Sequence, residues 1–165
     1  MNKESYDLMA SFVSQNVSPN VKTRILDVGS YNVNGDHRPL FNNPNWEYVG
    51  IDLEPGPNVD VIARSEYSFG LEAESFDVVI SSNVAEHVRD IFAWIKEIAR
   101  VTKKGGTICI ITPSRIDEHR FPLDCWRIMP DGLVYMFQIA KLHIVKTVQI
   151  DYNTSFRFTV GVARK

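Results

Sequence analysis

The chain has 165 residues, with 18 basic against 20 acidic side chains and a net charge of −2. This length predicts one domain, the 44% hydrophobic content excludes a disordered or fibrous chain, and the near-neutral charge does not favour nucleic acid as a partner. No apolar run approaches the roughly 20 residues that cross a bilayer, and the polar start Met1–Ser5 does not resemble a signal peptide. Two cysteines encode neither a disulfide framework nor a zinc knuckle. We therefore expect a cytoplasmic protein without a membrane partner.

The first half of the chain alternates between helix-like and strand-like segments. Apolar residues at helical spacing predict an N-terminal helix within residues 1–20. Short apolar segments predict strands at residues 24–28, 47–52 and 59–63. The continuous apolar run at residues 76–81 is typical of a parallel strand that is covered on both faces.

The second half begins with the clearest predicted helix. Asp90 can act as its N-cap, apolar residues recur at helical spacing up to Val101, and residues 103–106 (KKGG) are typical of a helix end. The remaining predicted elements are a buried strand, a helix and two further strands, at residues 107–112, 133–141, 144–151 and 156–163.

This order of elements predicts a single Rossmann-like α/β domain. Its sheet would have seven strands, mostly parallel, with a C-terminal antiparallel hairpin and helices on both faces. Within the single domain of residues 1–165 we expect the N-terminal helix in residues 1–20, the first five strands in residues 23–113, and a loop, a helix and the hairpin in residues 114–165.

Two predicted strands end in residues that suit a ligand, because ligands of open parallel sheets bind outside the carboxyl ends of the strands. Gly29 follows the first strand and permits a tight turn, and Gly35 allows a second close approach of the backbone to a ligand. Asp52 ends the second strand, where a carboxylate can accept hydrogen bonds from both hydroxyls of a ribose. The sequence therefore indicates a ligand that contains a nucleoside.

The glycine turn argues against a phosphate at this end of the ligand. A dinucleotide motif needs a glycine where Tyr31 stands, and the phosphate-binding loop that ends in Gly-Lys-Ser/Thr is absent. The carboxylate of Asp27, beside the turn, would attract an ammonium group and repel a phosphate. A nicotinamide-dependent oxidoreductase is therefore the least favoured interpretation.

Three segments resemble the motifs of the class I S-adenosylmethionine-dependent methyltransferases, in the branch often called type 11. They are residues 25–29 (ILDVG), 48–53 (YVGIDL) and 75–88 (SFDVVISSNVAEHV). The resemblance covers residues 23–113 and rests on the combination of motifs. It implies that residues 23–113 are the cofactor-binding half of a methyltransferase-like domain and that residues 114–165 form the substrate-side loop, helix and hairpin. The chain departs from the family pattern at Tyr31 and Val33, where further glycines are usual, and at residues 64–67 (RSEY), where many members have an acid.

The resemblance implies a division of labour around S-adenosylmethionine as the cofactor. Asp52 would bind the ribose, and three groups of residues would surround the rest of the molecule. The methionine end would contact Asp27, Gly29, Ser30 and Tyr31, with Gly35 completing the turn; Leu53, Glu66 and Tyr67 would flank the adenine; Ser82, Asn83 and His87 would line the floor near the sulfonium.

The resemblance also implies the reaction, a methyl transfer in which in-line alignment supplies much of the rate. A base helps where the acceptor must lose a proton, and the candidates are His119 and Asp124, with His87 and Glu86 behind them. We expect a metal-independent enzyme because residues 81–83 lack the carboxylate cluster that magnesium needs.

The acceptor is the least determined part of the prediction. A small molecule or a glycan is favoured, covered by the loop at residues 114–129 or by a second subunit of a homodimer. We expect Arg127 to pair with Asp124 and so pack this loop on the sheet. Two other functions stay open: a non-catalytic scaffold that binds S-adenosylmethionine or another nucleoside, and an aminopropyl-transferase-like enzyme that uses Asp117, Glu118 and Asp124 around an amine.

Overall fold

Seven strands and three α-helices make up the computed structural model, which describes residues 3–165. Met1 and Asn2, the first residues of the polar start, lie outside the described residues. The helices are α1 (Lys3–Asn16), α2 (Ile91–Val101) and α3 (Pro130–Ile139). The strands are β1 (Thr23–Val28), β2 (Trp46–Asp52), β3 (Val61–Ile62), β4 (Phe76–Ser82), β5 (Thr102–Arg115), β6 (His143–Asp151) and β7 (Arg157–Arg164).

The strands form one mixed sheet in the order β3-β2-β1-β4-β5-β7-β6. The first five strands in this order are parallel, and β7 runs antiparallel to both β5 and β6. The predicted Rossmann-like sheet with a C-terminal antiparallel hairpin is therefore confirmed. Because β1 pairs with β2 on one side and with β4 on the other, the order reverses between β1 and β4, and a crevice opens at their carboxyl ends.

Hydrophobic residues cover both faces of the sheet. In β5, Ile108 and Ile110 belong to the core under α2 and α3, whereas Cys109 and Ile111 belong to the core under α1. This alternation follows from the two-residue period of a strand, and it explains why the central strands are apolar at nearly every position. No helix among residues 3–165 is long and apolar enough to cross a membrane.

Helix α2 ends earlier than the KKGG segment predicts. Asp90 caps its start as expected, with the carboxylate accepting hydrogen bonds from two backbone N–H groups. The helix stops at Val101, and Thr102 is already paired with Phe76 as the first residue of β5. Lys103 contacts Asp77 of the neighbouring strand at 2.8 Å. Strand pairing has therefore prevailed over the local helix-end signal, and the prediction for residues 103–106 is wrong.

Candidate functional site

A cavity of about 550 Å³ opens at the carboxyl ends of the central strands. Its walls come from the segment after β1, the end of β2, the segment after β4 and the loop that follows β5. Of the predicted cofactor-binding residues, those that line it are Asp27, Gly29, Ser30, Tyr31, Gly35, Asp52, Leu53, Glu66, Ser82, Asn83 and His87. The volume lies within the range of about 300 to 1,000 Å³ that is usual for small-molecule sites.

The turn after β1 is held by the end of β2. The backbone N–H groups of Gly29 and Ser30 both donate to the carbonyl of Ile51, at 2.9 and 3.1 Å. Gly29 has a φ of 80°, and a Cβ atom there would lie 2.1 Å from a methyl group of Val84. Only glycine fits this turn without displacing its neighbours.

Asp52 and Tyr31, which both line the cavity, are connected by a hydrogen bond. The backbone N–H of Tyr31 donates to one carboxylate oxygen of Asp52 at 2.9 Å, and that of Leu53 donates to the other at 2.7 Å. The Tyr31 ring lies so close to Gly56 that a Cβ atom there would be 2.1 Å from the ring. A tyrosine in place of the usual glycine therefore packs against the turn after β2, and the Asp52 carboxylate keeps a fixed orientation.

Asp27 lies buried beneath the turn. It accepts a 2.5 Å hydrogen bond from the hydroxyl of Tyr48, and Nδ1 of His37 lies 3.6 Å from the same oxygen. Burial, reinforced by the Asp27 carboxylate, raises the pKa of Tyr48, so this hydroxyl stays a donor. Because Asp27 also lines the cavity, its carboxylate is in a position to attract an ammonium group, as the sequence predicted.

Two of the three residues that were predicted to flank the adenine line the cavity. Leu53 and Glu66 line the cavity, and Glu66 is fixed by an ion pair with Arg89 at 2.8 Å. Tyr67 is not among the lining residues, because its hydroxyl accepts the backbone N–H of Asp90 at 3.1 Å, at the start of α2. Phe69 lines the cavity instead, which corrects the prediction for Tyr67.

The floor of the cavity is tied to α1. Asn83 adopts a left-handed conformation with a φ of 56°, which asparagine tolerates better than most residues. Its backbone N–H donates to Ile111, and its side-chain amide donates to the hydroxyl of Ser5 at 3.0 Å. Ser82, beside it, is buried.

Two histidines and one carboxylate converge where the floor meets the loop after β5. Oε1 of Glu86 lies 3.9 Å from Nε2 of His87 and 3.9 Å from Nε2 of His119. The Glu86 side chain is fully buried, whereas both imidazoles line the cavity. The Glu86 carboxylate raises the pKa of His119. We call these three residues the Glu86–His87–His119 cluster.

Asp124 does not line the cavity. Its carboxylate accepts two hydrogen bonds from Arg127, at 2.5 and 2.8 Å, and one from the backbone N–H of His119 at 2.7 Å. The Arg127 guanidinium holds the pKa of Asp124 well below its usual range. The predicted pair with Arg127 is confirmed, but a buried and fully engaged carboxylate is not suited to remove a proton, which corrects the prediction that Asp124 is a catalytic base.

The loop at residues 116–129 forms the outer wall. Apolar and basic side chains near its start line the cavity, and its far end is fastened to the segment after β4. The Trp126 indole N–H donates to the carbonyl of Val88 at 2.7 Å, and the backbone N–H of Cys125 donates to the carbonyl of Glu86 at 2.7 Å. These long-range contacts bring His119 to Glu86 and could not be predicted from local sequence.

Known proteins are similar to this chain in sequence or in fold. An uncharacterized methyltransferase from Mycobacterium sp. (strain KMS) is 38% identical over 91 residues, which are 50% of this chain and 35% of that protein. A ubiquinone biosynthesis O-methyltransferase from Chelativorans sp. (strain BNC1) is 33% identical over 63 residues, 38% of this chain and 25% of that protein. The matches thus span well under half the length of these two relatives. The crystal structure of the YcgJ protein from Bacillus subtilis has a TM-score of 0.74 at 15% identity and covers 99% of each chain.

The family model described as methyltransferase domain matches residues 26–110. The matched range runs from β1 into β5 and includes the glycine turn, Asp52 and the segment after β4. It covers more than half of the chain, and the sheet order, the cavity and the relatives agree with it. The chain therefore belongs to the class I S-adenosylmethionine-dependent methyltransferases.

Proposed function

We propose that the cavity binds S-adenosylmethionine and that the protein transfers its methyl group to a small molecule with a hydroxyl group. The observation that carries this proposal is the continuity of the cavity. It connects the turn at Gly29 and the carboxylate of Asp52 with the loop at residues 116–122, so a cofactor and an acceptor can meet in it.

Each end of the cofactor would find a complementary group. The Asp52 carboxylate, held by two backbone N–H groups, would accept hydrogen bonds from the ribose hydroxyls. The buried carboxylate of Asp27 would attract the ammonium of the methionine end. The adenine would lie between Leu53 and Phe69, with Glu66 at its edge.

The acceptor side favours a molecule with an apolar ring. Ile116, Phe121, Pro122 and Phe156 line this end of the cavity, and His119 adds a polar group among them. Burial of ring carbons against these side chains would supply affinity, and the histidine would orient a hydroxyl. A relative is named a ubiquinone biosynthesis O-methyltransferase, which supports an oxygen atom as the methyl acceptor.

Methyl transfer needs in-line alignment of the acceptor oxygen, the methyl carbon and the sulfur. The carbon–sulfur bond breaks with its electron pair going to sulfur, while the oxygen forms the new bond and loses its proton. His87 and His119 of the Glu86–His87–His119 cluster line the cavity near its acceptor end, and we assign the loss of the proton to this cluster.

The cofactor assignment predicts that Asp52→Ala weakens binding of S-adenosylhomocysteine by about tenfold or more, since each 1.4 kcal/mol of lost interaction is a factor of ten. Isothermal titration calorimetry measures the change. Glu54→Ala is the matched control, because Glu54 is an exposed carboxylate two residues further on and does not line the cavity. Equal affinities of the two variants would show that the ribose lies elsewhere.

The acceptor assignment predicts that His119→Ala lowers turnover about 10²- to 10⁴-fold without changing the affinity for S-adenosylhomocysteine. The assay offers a panel of catechols and hydroquinones with S-adenosylmethionine and detects methylated products by mass spectrometry. His143→Ala, which removes an exposed histidine on β6, is the control. Tight cofactor binding with no methylation of any panel member would favour the non-catalytic scaffold, and a fully active His119→Ala would exclude His119 from the step.

A further inference from the structure

We propose that the Glu86–His87–His119 cluster binds one divalent transition-metal ion at the edge of the cavity. Each residue offers one ligand atom, and the three atoms lie within 4.8 Å of one another. Metal–ligand bonds of about 2.1 Å place neighbouring ligand atoms about 3 to 3.4 Å apart around one ion. The observed separations of 3.9 Å from Oε1 to each Nε2 therefore require only a small closing movement.

Both imidazoles are oriented as metal ligands usually are. Nδ1 of His87 lies 2.5 Å from the carbonyl of Leu123, and Nδ1 of His119 lies 3.1 Å from the carbonyl of Asp117. A carbonyl only accepts, so each Nδ1 must carry a proton, and Nε2 is the nitrogen that each ring directs at Glu86 and that can bind an ion when it is unprotonated. This is the arrangement by which outer contacts fix the tautomer and the direction of a ligating histidine.

The buried carboxylate lacks a partner at the point where an ion would lie. Glu86 is completely buried, and Oε1 has no hydrogen-bond partner among residues 3–165. Its other oxygen accepts from the hydroxyl of Thr112 at 3.3 Å, which leaves Oε1 directed at the histidines. An unpaired buried carboxylate oxygen is costly, and neither Nε2, at 3.9 Å, is close enough to satisfy it with a hydrogen bond. A cation bound between the three side chains would satisfy it.

The donor set selects the kind of ion. Two imidazoles and one carboxylate suit zinc, manganese, iron or cobalt, whereas magnesium and calcium prefer oxygen ligands alone. The sequence predicted a metal-independent enzyme because residues 81–83 contain no carboxylate. The carboxylate lies in the short 3₁₀ turn Ala85–His87, and the third ligand comes from the loop after β5.

The position of the cluster gives the ion a role in the reaction, and this role rests on the proposed function. Because both imidazoles line the cavity, a coordination position not filled by protein would be open to an acceptor hydroxyl. With an ion bound, the cluster would assist the loss of the proton by lowering the pKa of the coordinated hydroxyl and not by accepting the proton itself. The proton would pass to solvent, and the oxygen would form its bond to the methyl carbon. The carbon–sulfur electron pair goes to sulfur, and the ion keeps its charge throughout.

Titration of the chelator-treated full chain with Zn²⁺ and with Co²⁺ tests the site, by calorimetry and by the visible absorption of Co²⁺. We expect one ion per chain with a micromolar or tighter dissociation constant. Glu86→Gln and His119→Ala should each weaken binding by about tenfold or more, because each removes a ligand. His143→Ala and Cys125→Ser should leave binding unchanged; both remove exposed side chains that can bind zinc at a surface.

Failure of the wild-type chain to bind either ion would overturn the proposal, as would binding that Glu86→Gln and His119→Ala leave intact. Loss of binding in Cys125→Ser or His143→Ala would assign the ion to a surface site and would overturn it as well. Circular dichroism identifies a misfolded Glu86→Gln protein, and the half-buried His119 supplies a second variant in that case. Titration of the chelated protein with S-adenosylhomocysteine separates this result from the cofactor assignment.

Discussion

Some residues at the cavity could be located from the sequence, and others could not. Asp52 and Gly29 could be predicted because each stands at a strand end within a short motif. The pair between Asp124 and Arg127 was predicted, but not that it keeps this carboxylate out of the cavity. Tyr67 could not be placed, since a hydrogen bond from the backbone of Asp90, at the start of α2, decides where its hydroxyl points. Such contacts join residues whose proximity local sequence does not show.

Gly29→Ala should lower the free energy of unfolding by about 1 to 3 kcal/mol, because the new Cβ meets Val84 and the left-handed φ is strained. Gly132→Ala should instead raise the free energy of unfolding. Gly132 is exposed in α3, its Cβ would make an ordinary 3.5 Å contact, and alanine stabilises a helix by about 0.5 to 1 kcal/mol. Urea unfolding of both variants checks the pair; equal effects would contradict the account of the turn.

At the scale of elements, the sequence predicts where helix α2 begins but not where it ends. Its apolar spacing and its cap at Asp90 predict its start, because both depend on neighbours along the chain. Its end depends on β4, which captures Thr102 as a strand residue. The position of the loop at residues 116–129 is still harder to predict, since Trp126 and Cys125 form hydrogen bonds to residues far away in the sequence.

We expect Glu97 of helix α2 to contribute more to the stability of the fold than an exposed residue of the same helix. Its buried carboxylate accepts the backbone N–H of Phe69 at 2.7 Å and two hydrogen bonds from Arg100. Glu97→Ala leaves that N–H without a partner and leaves the guanidinium with only the carbonyl of Leu71, so we expect a loss of about 1 to 3 kcal/mol in the free energy of unfolding. Lys96→Ala, at the exposed neighbouring position, should change stability by less than about 0.5 kcal/mol. Similar urea midpoints for the two variants would refute this role.

At the scale of the whole molecule, the site exists because the sheet order reverses. The segments after β1 and β4 part at this point, and the cavity lies between them. The sequence predicted this architecture because buried strands and a hairpin have strong local patterns. It named Glu86, His87 and His119 as candidate bases but did not predict that their side chains form a metal-binding group, because they come together only when the loop after β5 folds over the floor.

The most direct test of the central claim is a crystal structure of the protein grown with S-adenosylhomocysteine. We expect the ribose hydroxyls within hydrogen-bond distance of Asp52, the amino-acid end at the turn beginning with Gly29, and the sulfur directed toward His119. Ligand density outside this cavity, or a protein that crystallises without the ligand at saturating concentration, would contradict the account.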